Sequence, residues 1–266
     1  ALLFALEFRD GVSVLVAVGA MLLFPATSGG HYVLNDVIDV SLDQQHPSKR
    51  NRPIAAGRLS RSIATGAAVF VILTATVLGF LLAWPLGVAL TSYVLLQVMY
   101  TLWLKHIVVL DLLAISIGFV IRAAGGALAI SVAISPWLYI CTFVLALFLA
   151  VSKRWAELAG QPSAQSARPV LGIYTPDFLR TLIVITVTST LISYTLYTFS
   201  APNLPTNHSM MLTVPIVLYG LLRYVYLVQV RGVGEAPERL LLEDRGILAS
   251  SALWVVMSGA ILQFAA

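Results

Sequence analysis

Between residues 35 and 57 the chain sets an amide and three carboxylates, Asn35, Asp36, Asp39 and Asp43, ahead of three cations, Lys49, Arg50 and Arg52, in a sequence that is otherwise nearly all hydrocarbon. If the preceding apolar helix continues through residues 30 to 43, Asn35, Asp39 and Asp43 fall four apart and stack on one face, with Asp36 one step round. Like charges at this spacing repel by a few tenths of a kcal/mol per pair, and a divalent cation is the natural relief. Hard oxygen donors in a stripe, with cations just downstream, suit Mg²⁺ carrying a phosphorylated substrate. The plainer alternative is a solvated acidic helix end followed by a basic loop that fixes topology.

The elements that must carry this stripe are membrane helices. Of the 266 residues 59% are hydrophobic and 11% charged, far from the roughly 25% charged expected of a soluble domain. Eight apolar runs reach the length of about 20 residues that a hydrocarbon core requires, near 11–34, 62–84, 86–104, 107–132, 135–152, 177–200, 209–229 and 246–265. The connections alternate in character. Those at 35–61, 104–106, 153–176 and 230–245 are charged, whereas 84–86, 132–136 and 200–209 are neutral. The positive-inside rule makes the charged side cytoplasmic, and the acids gather there too, which that rule does not require. The net charge of +4 is confined to membrane loops and interleaved with acids, which argues against a nucleic-acid partner. Cys141, the single cysteine, can form no intrachain disulfide.

Two charges lie at depth, Asp111 about one turn inside the fourth run and Arg122 three turns further on roughly the same face. Intramembrane ionisable groups mark a functional cavity by default, with a structural pair as the alternative. The patch Ala123-Ala124-Gly125-Gly126-Ala127 reads as close helix packing. On the charged side, Tyr100 and Lys105 flank one short loop, Lys153, Arg154 and Glu157 extend the fifth run, and Arg223-Tyr224 precedes Glu235, Glu238, Asp244 and Arg245. Each cluster alone is also compatible with topology signals and interfacial aromatics. The histidines His31, His46, His106 and His208 lack ligand spacing, and no Gly-rich phosphate loop is present.

With these clusters in place the sequence resembles the UbiA-type intramembrane prenyltransferase superfamily, whose Asn-Asp-x-x-Asp-x-x-x-Asp motif is matched by Asn35, Asp36, Asp39 and Asp43. Within it the chain is more similar to the decaprenyl-phosphate phosphoribosyltransferases. That likeness rests on His46-Pro47-x-Lys49-x-x-Arg52-Pro53-Ile54-Ala55-x-Gly57, on Tyr100, Lys105 and Asp111, on Arg122-Ala123, on Lys153-Arg154-x-x-Glu157-Leu158, and on Tyr174, Arg223-Tyr224, Pro237-Glu238 and Asp244-Arg245. It runs from about residue 12 to the C-terminus in order. The family's first helix, with its Arg-Pro and Trp-x-Lys-Asn signature, is not found in this sequence, either missing or cut short, and in the second case residues 1 to 8 read as the tail of an earlier helix. The second acidic motif of the aromatic prenyltransferases is replaced by Lys153, Arg154 and Glu157.

The resemblance implies an all-α polytopic bundle in one domain over 1–266, with eight spans where the fold has nine and a polar cavity on the cytoplasmic side of the inner membrane. It implies transfer of 5-phosphoribose from phosphoribosyl pyrophosphate to a polyprenyl phosphate with Mg²⁺, with Asp36, Asp39 and Asp43 catalytic and Asn35, Asp36 and Asp39 on the metal. Asn35, Lys49, Arg52, Tyr100, Lys105, Asp111, Arg122, Lys153, Arg154 and Glu157 would bind substrate. Three alternatives stay open: a prenyltransferase acting on an aromatic or tetrapyrrole acceptor, a non-catalytic subunit or lipid-binding scaffold of a larger membrane assembly, and a transporter. One-sided charge without repeated halves weighs against the last. Homo-oligomerisation is left open.

Overall fold

A computed structural model describes residues 11–45, 49–132, 135–160, 169–202, 204–234 and 236–264. The motif residues His46 and Pro47 and the charges Glu7, Arg9, Asp10, Arg168 and Glu235 lie outside the described residues. The described chain is all-helical: α1 (Gly11–Ile38), α2 (Val40–Gln45), α3 (Arg61–Leu82), α4 (Trp84–Leu102), α5 (Leu110–Ala129), α6 (Pro136–Gly160), α7 (Pro176–Ser200), α8 (Val214–Gln229), α9 (Pro237–Glu243) and α10 (Arg245–Phe264). Among the described residues eight helical segments are long and apolar enough to cross a membrane, and each falls on one of the eight apolar runs. Phe70, Leu81, Trp84, Val256 and Phe264 are exposed, as suits a surface solvated by lipid.

Two boundaries differ from the sequence reading. α6 runs on through Lys153, Arg154 and Glu157 to Gly160, because this segment is built of good helix formers and carries an i,i+3 ion pair. The fourth membrane helix starts at Leu110, so Asp111 lies in its first turn. The 3₁₀ turn Leu104–His106 and the left-handed Val109 (φ 69°) delay the start.

The chain divides into two units, 1–114 with 120–134 and 166–169, and 115–119 with 135–165 and 170–266. In the first unit α1 packs on α3 and α4. Val16, Ala20 and Phe24 of α1 meet Leu86, Ala89, Leu90 and Tyr93 of α4 in a buried cluster that also takes in Ala129 and Ile130. Glycine sets the spacing: a Cβ at Gly30 would come within 2.7 Å of Ile72 Cγ1, and one at Gly125 within 2.6 Å of Ala89 Cβ and 2.9 Å of Phe24 Cζ. The small-residue patch around Gly125 is therefore packing. α3 passes to α4 through extended Ala83, with Pro85 in the first turn of α4 where a missing N–H costs nothing.

In the second unit α7 packs on α6 and α10 on α8. α7 buries Leu179, Ile183, Thr186, Thr190, Tyr194 and Thr198 on one stripe. Its buried threonines donate back to their own helix, for example Thr190 Oγ1 to the Thr186 carbonyl at 2.7 Å, so the polar stripe is satisfied in an apolar setting. Trp254 Nε1 donates to the Tyr194 hydroxyl (2.6 Å), which bonds Thr213 Oγ1 (2.6 Å) and ties α10 and the 3₁₀ turn Ser209–Thr213 to α7.

Candidate active site

α1 does not run straight through the acidic motif. It ends at Ile38, a turn follows at Asp39, and α2 begins at Val40. The backbone bonds from Asp39 N to Asn35 O (2.8 Å) and from Asp43 N to Asp39 O (2.9 Å) bridge the break, so helical register is kept. At 3.6 residues per turn Asp36 and Asp43 then point about 20° apart, while Asp39 lies about 40° from both Asn35 and Asp43, so the partners decide which way Asp39 turns.

The structure divides these side chains among three partners. Arg52 Nη1 donates to Asp36 Oδ1 at 2.5 Å and to Asp43 Oδ2 at 2.9 Å. Lys105 Nζ sits on both oxygens of Asp39 at 3.0 and 3.3 Å, and Thr101 Oγ1 donates to Asn35 Oδ1 at 2.7 Å. Asp43 is only 4% exposed. Lys49, in the 3₁₀ turn Lys49–Asn51, is close enough to act on Asp36 electrostatically.

The loop that delivers Arg52 is anchored by apolar contacts. Ile54 and Ala55 are buried with Val40 and Ala64 against Val33 and Val37 of α1. Gln44 Nε2 donates to the Ala55 carbonyl (3.2 Å), Arg58 Nη2 closes onto the Asn51 carbonyl (2.6 Å), and Gly57 turns at φ 72°. Ser60 then caps α3 by accepting from the Ile63 N–H at 3.3 Å.

Below the motif α4 presents Tyr93, Gln97 and Thr101 at four-residue spacing, with Lys105 four further on, toward Ser28, His31, Asn35 and Asp39 of the preceding chain. Tyr93 donates to Ser28 Oγ (3.0 Å), Gln97 Nε2 donates to the Tyr93 hydroxyl (2.6 Å), and the His31 and Tyr93 rings meet edge to face. Arg122 completes this group with its guanidinium 5.3 Å from the Tyr93 ring centre. Thr101, Tyr93, Gln97 and Ser28 are not among the sequence candidates, although the spacing of 93, 97, 101 and 105 is visible in the sequence. Tyr100 is half-buried in the last turns of α4, and Asp111 is fully buried.

The remaining candidates belong to the second unit. Arg154 is 2% exposed and donates to Glu157 Oε2 at 2.8 Å, with Lys153 half-buried beside it. Arg223 forks onto Asp244 through Nε (3.2 Å) and Nη2 (2.9 Å). Asp244 also accepts from the Ile247 N–H (3.0 Å), capping α10. Arg223 first, and that N–H after it, hold the Asp244 carboxyl below the usual range.

A family model described as the UbiA prenyltransferase family matches residues 1–242. The chain belongs to the UbiA prenyltransferase family. Among its UbiA relatives, a Mycolicibacterium smegmatis protein named decaprenyl-phosphate phosphoribosyltransferase is 30% identical over 92% of this chain and 80% of that protein. A Corynebacterium glutamicum protein of the same name is 34% identical over 89% of this chain and 72% of that one. The structure of a UbiA homologue from Archaeoglobus fulgidus bound to DMAPP and Mg²⁺ superposes with a TM-score of 0.75 over 99% of this chain and 93% of the other at 16% identity, which shows the fold. The chain is thus a multi-pass membrane member of a transferase family.

Mg²⁺ fits this donor set. Among the described residues no three carboxylates, histidines or cysteines gather closely enough to hold a metal ion. Mg²⁺ needs no such cage, since it commonly takes one or two carboxylates and completes its shell with water and substrate phosphate. Arg52 Nη1, shared by Asp36 and Asp43, stands where a cation would bridge the two acids.

Proposed function

We propose that this chain transfers 5-phosphoribose from phosphoribosyl pyrophosphate to a polyprenyl phosphate in the cytoplasmic membrane, releasing pyrophosphate, with the site open to the cytoplasm. The observation that carries the reading is the convergence of Asp36, Asp43 and Arg52 beside Asp39 and Lys105 at the end of a membrane helix. The names of the relatives at 30% and 34% identity support the phosphoribosyl branch.

In this reading an oxygen of the acceptor phosphate bonds to the anomeric carbon as the bond to pyrophosphate breaks. The acceptor is already an anion at neutral pH, so no general base is required. Mg²⁺ held by Asp36 with Asp43 or Asp39, and by Asn35, would neutralise the charge that develops on the leaving pyrophosphate. Thr101 orients the Asn35 amide, and Arg52, Lys49 and Lys105 bind the donor's diphosphate. Tyr100 and Arg122 are further donor-binding residues of the first unit, and buried Asp111 orients a ribose hydroxyl or holds a neighbouring cation. Lys153 and Arg154, the latter oriented by Glu157, bind a phosphate within the second unit.

A second reading is a prenyl diphosphate donor, favoured by the DMAPP bound to the fold neighbour. Direct competition tests the two. Phosphoribosyl pyrophosphate should support lipid-phosphate consumption in purified protein, whereas dimethylallyl diphosphate with an aromatic acceptor should not. Turnover of the second pair alone would overturn the proposal.

A further inference from the structure

Two of the arginine–carboxylate contacts among the described residues differ in kind. Arg223 meets Asp244 as a two-nitrogen fork, the geometry of a fixed structural pair. Arg52 instead stretches one nitrogen, Nη1, between Asp36 and Asp43, and its side chain is 42% exposed while that of Asp43 is 5% exposed. Lys105 likewise straddles the two oxygens of Asp39. Buried Asp43 cannot give up one counter-ion without receiving another, because an unpaired buried carboxylate is costly. Exposed Arg52, by contrast, can move.

We propose that Arg52 and Lys105 are exchangeable counter-ions that make the site selective for a metal–diphosphate complex over either the bare metal or the bare diphosphate. The proposal rests on the reading that a Mg²⁺-bound diphosphate is the donor's reacting group. Three carboxylates face these two cations, so a bare divalent cation must turn Arg52 and Lys105 out into water with nothing to receive them. A bare diphosphate can draw the two cations away only by stripping the carboxylates. When metal and diphosphate arrive together, Arg52 and Lys105 pass from carboxylate to phosphate and every charge keeps a partner. Binding of the two is then cooperative through side chains already in place.

The test uses the purified protein with Mn²⁺ and with labelled pyrophosphate, which contains no ribose. Bare Mn²⁺ binding is read by electron paramagnetic resonance, and pyrophosphate binding by equilibrium dialysis with and without Mg²⁺. Lys105→Gln should bind bare Mn²⁺ about tenfold more tightly than wild type and Mg-pyrophosphate about tenfold more weakly, the size of one charge-assisted contact. Lys105→Arg should match wild type for Mn²⁺, and Arg52→Gln should change both affinities in the same directions as Lys105→Gln. Lys105→Arg, which keeps the charge, separates the rise from any exposure of carboxylates by misfolding. Unchanged or weaker Mn²⁺ binding by Lys105→Gln, or tight bare-Mn²⁺ binding by wild type, would overturn the proposal. Failure of phosphoribosyl transfer with this opposite-sign pattern intact would count against the donor sugar alone.

Discussion

At the scale of residues, four motif side chains divide among three partners. Asp36 and Asp43 turn to Arg52 on the loop, and Asn35 and Asp39 turn to Thr101 and Lys105 at the end of α4. The identity of the motif is plain in the sequence, and the 3.6-residue repeat brings Asp36 beside Asp43, but the turn of Asp39 toward Lys105 is set by where that lysine sits. Arg52 as the bridging group is not legible, because its position depends on how Ile54 and Ala55 dock against Val33, Val37 and Val40. Asp39→Asn is expected to lower kcat/KM by at least about a hundredfold, as removal of a transition-state charge contact does, in a protein that remains folded because the side chain is 35% exposed. Wild-type turnover in that variant would remove Asp39 from the chemistry. Thr101→Val, which frees the Asn35 amide, should cost about three- to tenfold, with Thr101→Ser restoring the rate. Equal loss in both variants would assign Thr101 to packing.

At the scale of elements, the spans are legible because hydrocarbon thickness dictates their length, while their ends are set by local devices that composition does not report. The continuation of α6 to Gly160 and the late start of α5 at Leu110 are of this kind. Paired glycines on α5 test the packing directly. Gly125→Ala meets Ala89 and Phe24 and should destabilise by about 1–3 kcal/mol. Gly126→Ala meets nothing within 4 Å and should be neutral or stabilising through helix propensity. The two melting temperatures decide the matter, and equal shifts would contradict the close approach at Gly125. The Arg223–Asp244 fork makes a prediction about acid. The Asp244 carboxyl is held below its ordinary value, so its contribution is full above the unfolded value near ~4 and disappears as pH falls through the lowered folded value. Asp244→Asn should therefore melt below wild type at pH 7, with the gap closing as the pH drops under about 4. A gap independent of pH would mean that the fork is not the source.

At the scale of the whole molecule, the placement of charge on alternate connections carries the proposed orientation. A periplasm-active reporter fused after residue 205 should give signal and one fused after residue 50 should not, because the positive-inside rule puts the motif's side in the cytoplasm. The reverse pattern would move the proposed site to the wrong face for a phosphoribosyl donor. Family and fold are readable from the long ordered set of motifs, whereas the chemistry lives in the side-chain partners of a few residues. The central claim is tested most directly by turnover of the purified protein with radiolabelled phosphoribosyl pyrophosphate, a polyprenyl phosphate and Mg²⁺, with and without chelator. A labelled, lipid-soluble product that disappears with chelator is the predicted result. No such product across several lipid lengths, or a product indifferent to chelator, would contradict it.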